Sequence, residues 1–387
     1  MKSALPRDSS FATRLQHAGA DQRLGTGLVG ALELSVTYQS ESVAQPPVYA
    51  RLSNTRNHAE VEALIASLHG APRAAVFASG MAAMNAVVFT LLRPGAHILA
   101  QENCYGGNAG LLTKVLARWG VETTFAPLSE WPSHLRPETQ LAYCESISNP
   151  LCVPQDLRTA AGVARAAGVP LLVDNTFASP ALCTPLLHGA DLVLESGTKY
   201  LNGHSDLICG VVAGSTPLIA RIAEASALLG GFLSTQGCVQ LMRGVRTLGV
   251  RMEAHARNAE LLARGLKESP LVTEVFHGSV LGPERALPAL FPKGHGGMLA
   301  VRFRDDIDVE ALVRKFALVT DVPSLGGTET TVTMPWFTTN ATQTQERRLS
   351  QGIDKKLVRV SVGLEDPGDV LADMLGTAKE GVPLLLT

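Results

Sequence analysis

Two residues in this chain stand where chemistry could be done. Lys199 closes the run Ser196-Gly197-Thr198-Lys199, just after the apolar stretch 192–194, and Asp174 closes the apolar stretch 169–173. A lysine amine set among small hydroxyl residues can form a Schiff base with a carbonyl. An aspartate at a neighbouring strand end can pair with a protonated pyridine nitrogen. Those are the two demands of pyridoxal phosphate: an aldehyde to anchor, and a ring nitrogen kept charged so that the ring accepts electrons. Ser196 and Thr198 add hydroxyls suited to a phosphate. One lysine alone is an ordinary solvated charge; its spacing from Asp174 and its small hydroxyl neighbours carry the reading.

The elements that must hold these residues follow from pattern. Short apolar runs closed by polar residues and glycine read as buried strands of a parallel sheet. The segment 180–190 is long enough for a crossover, so Asp174 and Lys199 both leave carboxyl ends of strands, where open α/β sheets place ligands. Further strands are expected at 74–78, 96–100, 141–147 and 207–213, and in a later lobe at 298–303 and 356–362. Val61, Leu64, Ile65 and Leu68 recur at helical spacing over 59–69. Helices are also expected at 82–92, 109–118 and 156–168, with a long one over 241–266 interrupted at Gly244. Ser79-Gly80-Met81 lies between strand and helix, where free N–H groups and the positive helix end make a phosphate cup. The expected organisation is an extended N-terminal arm (1–48), a large domain with a mostly parallel sheet (49–245) and a smaller C-terminal α/β domain (246–387).

Composition limits the function classes. The 387 residues are 46% hydrophobic and 18% charged, with a formal net charge of −2. That suits a globular enzyme and gives no electrostatic case for nucleic acid or an anionic membrane surface. No apolar stretch approaches the ~20 residues of a membrane span. The first residues lack the apolar core of a signal peptide. The six cysteines form no CxxC pair, which argues against zinc or a disulfide framework and for reduced, cytoplasmic thiols. No metal site is expected.

Asp174-Asn175-Thr176-Phe177 and the run SGTKYLNGHSD over 196–206 resemble the cofactor-lysine segment of the Cys/Met-metabolism family of pyridoxal-phosphate enzymes. MRGVRTL and RMEAHARNA in the later helices are similar to family segments, as are Ser324-Leu325-Gly326-Gly327 and Arg359-Val360-Ser361-Val362-Gly363. The likeness runs from the arm to the GLEDPGDVLADM run near the end. It implies an aspartate-aminotransferase-like (fold type I) α/β architecture with pyridoxal 5'-phosphate on Lys199 and Asp174 at the ring nitrogen. It assigns Gly80, Met81, Ser196 and Thr198 to the phosphate, and Tyr105 to stacking on the ring and proton exchange with substrate. Asn149, Ser324, Glu329 and Arg359 fall to the amino-acid substrate, Arg359 by bidentate pairing with its α-carboxylate. Tyr49 and Arg51 match residues that cross to a neighbouring subunit's phosphate. The implied assembly is a homodimer with shared sites, built into a tetramer.

The activity implied is γ-replacement of the cystathionine γ-synthase kind, on an O-acyl-homoserine with cysteine, or γ-elimination from cystathionine. Methionine γ-lyase, cystathionine β-lyase and O-acylhomoserine sulfhydrylase chemistry are the alternatives, and a catalytically silent scaffold of the same fold is the reading from another class. A dinucleotide-binding dehydrogenase is set aside because no GxGxxG opens the first strand–helix unit. Glu329 matches the glutamate of the cystathionine γ-enzymes, and Gly107 stands where methionine γ-lyases carry cysteine. The chain departs from the family pattern at Gly30-Ala31-Leu32-Glu33, Asn54-Thr55-Arg56-Asn57 and Gly237, and at Glu195 and Asn340, where many members have histidine. Strand alternation turns Glu195 away from the phosphate.

Overall fold

The protein is described by a computed structural model covering residues 8–20, 27–39, 42, 45–341 and 343–376. Seven strands form the large sheet: β1 (Arg73–Phe77), β2 (His97–Gln101), β3 (Glu122–Ala126), β4 (Thr139–Glu145), β5 (Leu171–Asp174), β6 (Leu192–Glu195) and β7 (Gly210–Gly214). Their spatial order is β1-β7-β6-β5-β4-β2-β3. All neighbours are parallel except β7, which runs antiparallel to both β1 and β6. β2 and β5 are buried throughout, as a sheet covered on both faces requires.

Alternation sorts side chains between two cores. Leu141, Tyr143, Leu172, Leu192 and Leu194 face the helices Gly80–Leu91 and Thr216–Leu229. Ala142, Cys144, Leu171 and Val173 face the opposite side, with the helices Arg56–His69, Leu157–Ala166 and Thr235–Arg246. Asp174 continues the first row and Asn175 the second, so one step along the chain moves a side chain from the front of the sheet to the back.

The second sheet contains β8 (Val272–Phe276), β9 (Met298–Phe303), β10 (Thr320–Asp321), β11 (Thr331–Thr333) and β12 (Leu357–Ser361), in the order β10-β11-β12-β9-β8. Its core is closed by the helices Leu248–Glu268 and Pro367–Leu375.

Local expectations differ from the structure at two places, the long helix and the arm. The long helical run breaks at Thr247, the C-cap of one helix and N-cap of the next. Gly244 lies inside the first helix because a Cβ there would stand 2.3 Å from the Asn202 carbonyl oxygen, so the glycine serves packing. The segment 180–190 does make the expected crossover between parallel β5 and β6, through two short helical turns, Ser179–Leu182 and Pro185–His188. The arm is not extended throughout: Phe11–His17 is a helix capped by the Ser10 hydroxyl.

Two of the departures in sequence meet in space. The Asn57 side chain accepts from the Glu33 N–H (3.0 Å) and donates to the Ala31 carbonyl (2.8 Å), fastening the arm to the start of helix Arg56–His69. Arg56 pairs with Glu60 at 2.9 Å.

Candidate active site

At the carboxyl ends of β4, β5 and β6 lies a cavity of about 280 Å³. Its wall includes Gly80, Met81, Tyr105, Asn149, Asp174, Ser196, Thr198, Lys199 and Arg359. Residues as distant in sequence as Gly80 and Arg359 are therefore brought together by the sheet and by β12. Ser324 joins them through its hydroxyl, which accepts a hydrogen bond from Lys199 Nζ at 3.1 Å.

Lys199 is part-buried, and burial followed by the positive charge of Arg359 lowers its amine to about 8. A sizeable neutral fraction near pH 8 favours attack on a carbonyl. Asp174 Oδ1 accepts from the Thr176 N–H (3.0 Å) and hydroxyl (2.5 Å). Burial nonetheless raises its carboxyl above the ordinary value, so this group gains from a cation beside it. A protonated ring nitrogen supplies that cation. Gly80 opens the helix Gly80–Leu91, and a Cβ there would come 3.0 Å from the Ser196 Cβ. The bare helix end and the Ser196 hydroxyl thus share one cup, which fits a phosphate. Thr198 lines the same cavity, but its hydroxyl donates to the Cys209 carbonyl (3.1 Å) and accepts from the Cys209 N–H (3.0 Å). These features together fit pyridoxal phosphate.

Arg359, on β12, is buried and donates to Asn149 Oδ1 at 2.9 Å. Among the described residues it has no carboxylate within ion-pairing distance. A buried guanidinium without an anion is a seat for one. Tyr105 is 40% exposed at the cavity edge. Gly107 admits its ring: a Cβ at 107 would lie 2.4 Å from Tyr105 Cε1 and 2.8 Å from Cζ.

Besides Ser324, which reaches the site through Lys199, three expected residues lie off the cavity wall. Arg51 is exposed, donates to the Ala227 carbonyl at 2.8 Å and sits 5.3 Å above the Tyr49 ring. Tyr49 is held by its own N–H on Asn54 Oδ1. Glu329 is exposed on the loop between β10 and β11, the loop that also sends Pro323 and Leu325 into the wall.

Other wall residues carry no role in the sequence reading: Asn108, Glu145, Ile208 and Thr339, and Thr176 and Phe177, which enter it only as part of a motif. Thr176 is two positions from Asp174, so strand alternation could have found it. Glu145 is the most unusual. It is buried, its Oε1 accepts from the Tyr105 N–H (2.6 Å) and the Tyr143 hydroxyl (3.3 Å), and its Oε2 has no partner among the described residues. Burial and then the charge of Asp174 raise its carboxyl well above the carboxylate range. Asn340 does not line the cavity; its Oδ1 accepts from the hydroxyl of Thr339, which does.

Comparison with known proteins places this geometry. The pattern of the Cys/Met metabolism PLP-dependent enzymes matches residues 12–378. A cystathionine γ-lyase of Bacillus subtilis is 38% identical, covering 96% of this chain and 99% of that protein. A cystathionine β-lyase of Lactococcus lactis is 35% identical over 95% of this chain and 98% of its own. The crystal structure of cystathionine γ-synthase from Xanthomonas oryzae, in complex with aminoacrylate and cysteine, superposes with a TM-score of 0.89. It is 30% identical and covers 95% of this chain and 97% of that one.

Proposed function

This chain belongs to the Cys/Met metabolism family of PLP-dependent enzymes and has their type I fold, and from that premise we propose that it works at the γ-carbon of its substrate. It is a PLP-dependent enzyme of carbon–sulfur chemistry. Its proposed reaction is replacement of the acyl group of an O-acyl-homoserine by cysteine, with γ-elimination from cystathionine as the companion reaction of the same site.

The observation that carries this choice is the Tyr105 ring lying over Gly107. A cysteine side chain, which methionine γ-lyases have at this place, would collide with that ring. The choice of γ over β rests on the resemblance of Glu329 to the glutamate of the cystathionine γ-enzymes; it is an exposed carboxylate free of ion pairs among the described residues.

Pyridoxal phosphate, when bound, supplies the aldehyde for attachment and a ring that accepts electrons from the substrate's α-carbon. The chain supplies the rest. Lys199 Nζ would hold the cofactor until the substrate's amine displaces it; the freed amine would take the α-proton, give it up, and only then take a proton from Cβ, a task matched to an amine poised near 8. Asp174 keeps the ring nitrogen protonated. Gly80, Met81 and Ser196 bind the phosphate. Arg359, steadied by Asn149, binds the substrate's α-carboxylate, and the Tyr105 hydroxyl assists the departing γ-group. Phe177, Ile208 and Leu325 line the cavity with apolar surface.

We place a second copy of the chain beside each site. Arg51 is exposed and Tyr49 half-buried beneath it, and large apolar side chains are exposed on the arm (Leu28, Val29, Leu34, Val36) and near the Arg51 contact (Leu228, Leu229). A surface of this kind favours a homodimer in which Arg51 of the partner subunit completes the phosphate site, with a tetramer formed from two such dimers.

The test is product analysis by mass spectrometry after incubation with an O-acyl-homoserine, with and without cysteine, and with cystathionine. Cystathionine formed from the ester and cysteine, and 2-oxobutanoate in preference to pyruvate from cystathionine, are expected. Pyruvate formed faster than any γ-product would establish β-lyase chemistry in its place.

A further inference from the structure

Behind the cavity, on the opposite face of the large sheet, three polar side chains are packed among apolar neighbours. His69 ends the helix Arg56–His69, Glu195 ends β6, and Asn175 follows β5; their relative exposures are 0%, 1% and 0%. Asn175 Nδ2 donates to Glu195 Oε1 at 2.9 Å and to the Cys183 carbonyl at 3.0 Å. His69 Nε2 lies 3.5 Å from the same Glu195 Oε1. Neither ring nitrogen of His69 has a hydrogen-bond partner among the described residues, so Glu195 is the polar group its ring faces.

This cluster mirrors the front of the sheet residue by residue. Asp174 and Thr176 point to the cavity and Asn175 between them points back. Ser196 points to the cavity and Glu195 before it points back. The two strand ends are already tied by the Asn175 N–H on the Leu194 carbonyl (2.8 Å) and the Ser196 N–H on the Thr176 hydroxyl (2.9 Å). Any shift of Asn175 or Glu195 must therefore move Asp174 and Ser196 with it. Because the site depends on sub-ångström placement, such a shift reaches cofactor binding.

We propose that His69, Glu195 and Asn175 form a neutral brace, in which the Glu195 carboxylic acid faces the His69 imidazole and accepts from Asn175, and that this brace positions Asp174 and Ser196 for the cofactor. The proposal rests on the assignment of Asp174 and Ser196 to pyridoxal phosphate. Charge separation is disfavoured here because burial holds His69 down to about 4 and pushes Glu195 well above the carboxylate range. The ionisable neighbours of Glu195 are Asp174, whose charge raises it further, and the Cys183 thiol, itself pushed up to about 12 by burial. Neither stabilises a carboxylate. These are positioning residues; none of the three lines the cavity.

A neutral brace makes an unusual demand: glutamine should replace Glu195 and methionine should not. In Glu195→Gln the amide oxygen keeps the one acceptor that Asn175 Nδ2 and His69 Nε2 both face. Methionine has similar length but removes that acceptor, leaving Asn175 Nδ2 only the Cys183 carbonyl and His69 no polar group to face. The experiment titrates pyridoxal phosphate into apoprotein of wild type, Glu195→Gln and Glu195→Met, follows the visible band of the bound cofactor, and records a urea midpoint for each. Glu195→Gln should bind within about threefold of wild type, and Glu195→Met about tenfold more weakly with an altered band, the loss of roughly one buried hydrogen bond. His69→Gln serves as a second variant should Glu195→Met fail to fold; it keeps a polar partner for Glu195 and should bind within about threefold of wild type. Unchanged cofactor affinity in Glu195→Met, with only a lower urea midpoint, would reduce the cluster to packing and overturn the proposal. Equal losses in Glu195→Gln and Glu195→Met would show an ionised pair and overturn its neutrality; a His69→Gln loss of about tenfold would do the same. Wild type that takes up no cofactor at Lys199 would instead refute the site assignment on which the brace depends.

Discussion

The cavity and the outer face around Tyr49 and Arg51 handle charge in opposite ways. In the cavity, Lys199, Asp174, Glu145 and Arg359 are largely withdrawn from water, and every one is displaced from its ordinary pKa. On the outer face, Arg51 is exposed and spends its guanidinium on a backbone carbonyl and its own neighbour's ring. Burying a charge without an opposite charge is costly, so the first region is poised for ligands that complete it. The second is satisfied within one chain, and only in the proposed dimer would its guanidinium turn to the phosphate of a second copy. The difference separates what one chain builds from what the proposed dimer would add.

The sharpest way to break that comparison is complementation. Arg51→Ala and Lys199→Ala proteins should each be nearly inactive. Mixed under conditions that exchange subunits, they should recover about a quarter of wild-type activity, because about half of the dimers then contain one site with neither defect. Absence of recovery, with mixed dimers demonstrated by native mass spectrometry, would place Arg51 outside the partner's site.

Gly107→Cys probes the cavity alone. The new Cβ and thiol must push the Tyr105 ring off its present position, and misplacement of a reacting group by about an ångström costs up to about 100-fold. A fall in kcat for γ-replacement of roughly 10- to 100-fold is expected, with subunit association unchanged in sedimentation.

The smallest effect is on pH. Cofactor capture needs the neutral Lys199 amine, so the capture rate in stopped-flow absorbance should climb about tenfold per pH unit and level off above about 8. Arg359 contributes to that lowering, so Arg359→Gln should move the levelling-off to higher pH.

Much of the cavity was legible because its chemistry sits at strand ends. The apolar runs before Asp174 and Lys199 announce buried strands, and Ser79-Gly80-Met81 announces a helix start. The residues missed had weaker local signals. Glu145 ends a strand whose preceding residues are apolar, and its importance comes from a backbone N–H 40 positions away. β3, Glu122–Ala126, is an edge strand with mostly half-buried residues and no clean alternation. The break at Thr247 was assigned to Gly244 because glycine usually punctuates helices, whereas here it lets Asn202 approach. Glu195 was legible in direction alone: alternation turned it from the phosphate, but only the fold put His69 against it.

The central claim is that Lys199, among buried partners drawn from distant strands, is the seat of the cofactor. Borohydride reduction of the enzyme loaded with pyridoxal phosphate, followed by proteolysis and mass spectrometry, tests it directly. The pyridoxyl mass should appear on the peptide containing Lys199 and nowhere else at one equivalent per chain. A stoichiometric label on any other lysine, or the same adduct in Lys199→Ala protein, would contradict the account.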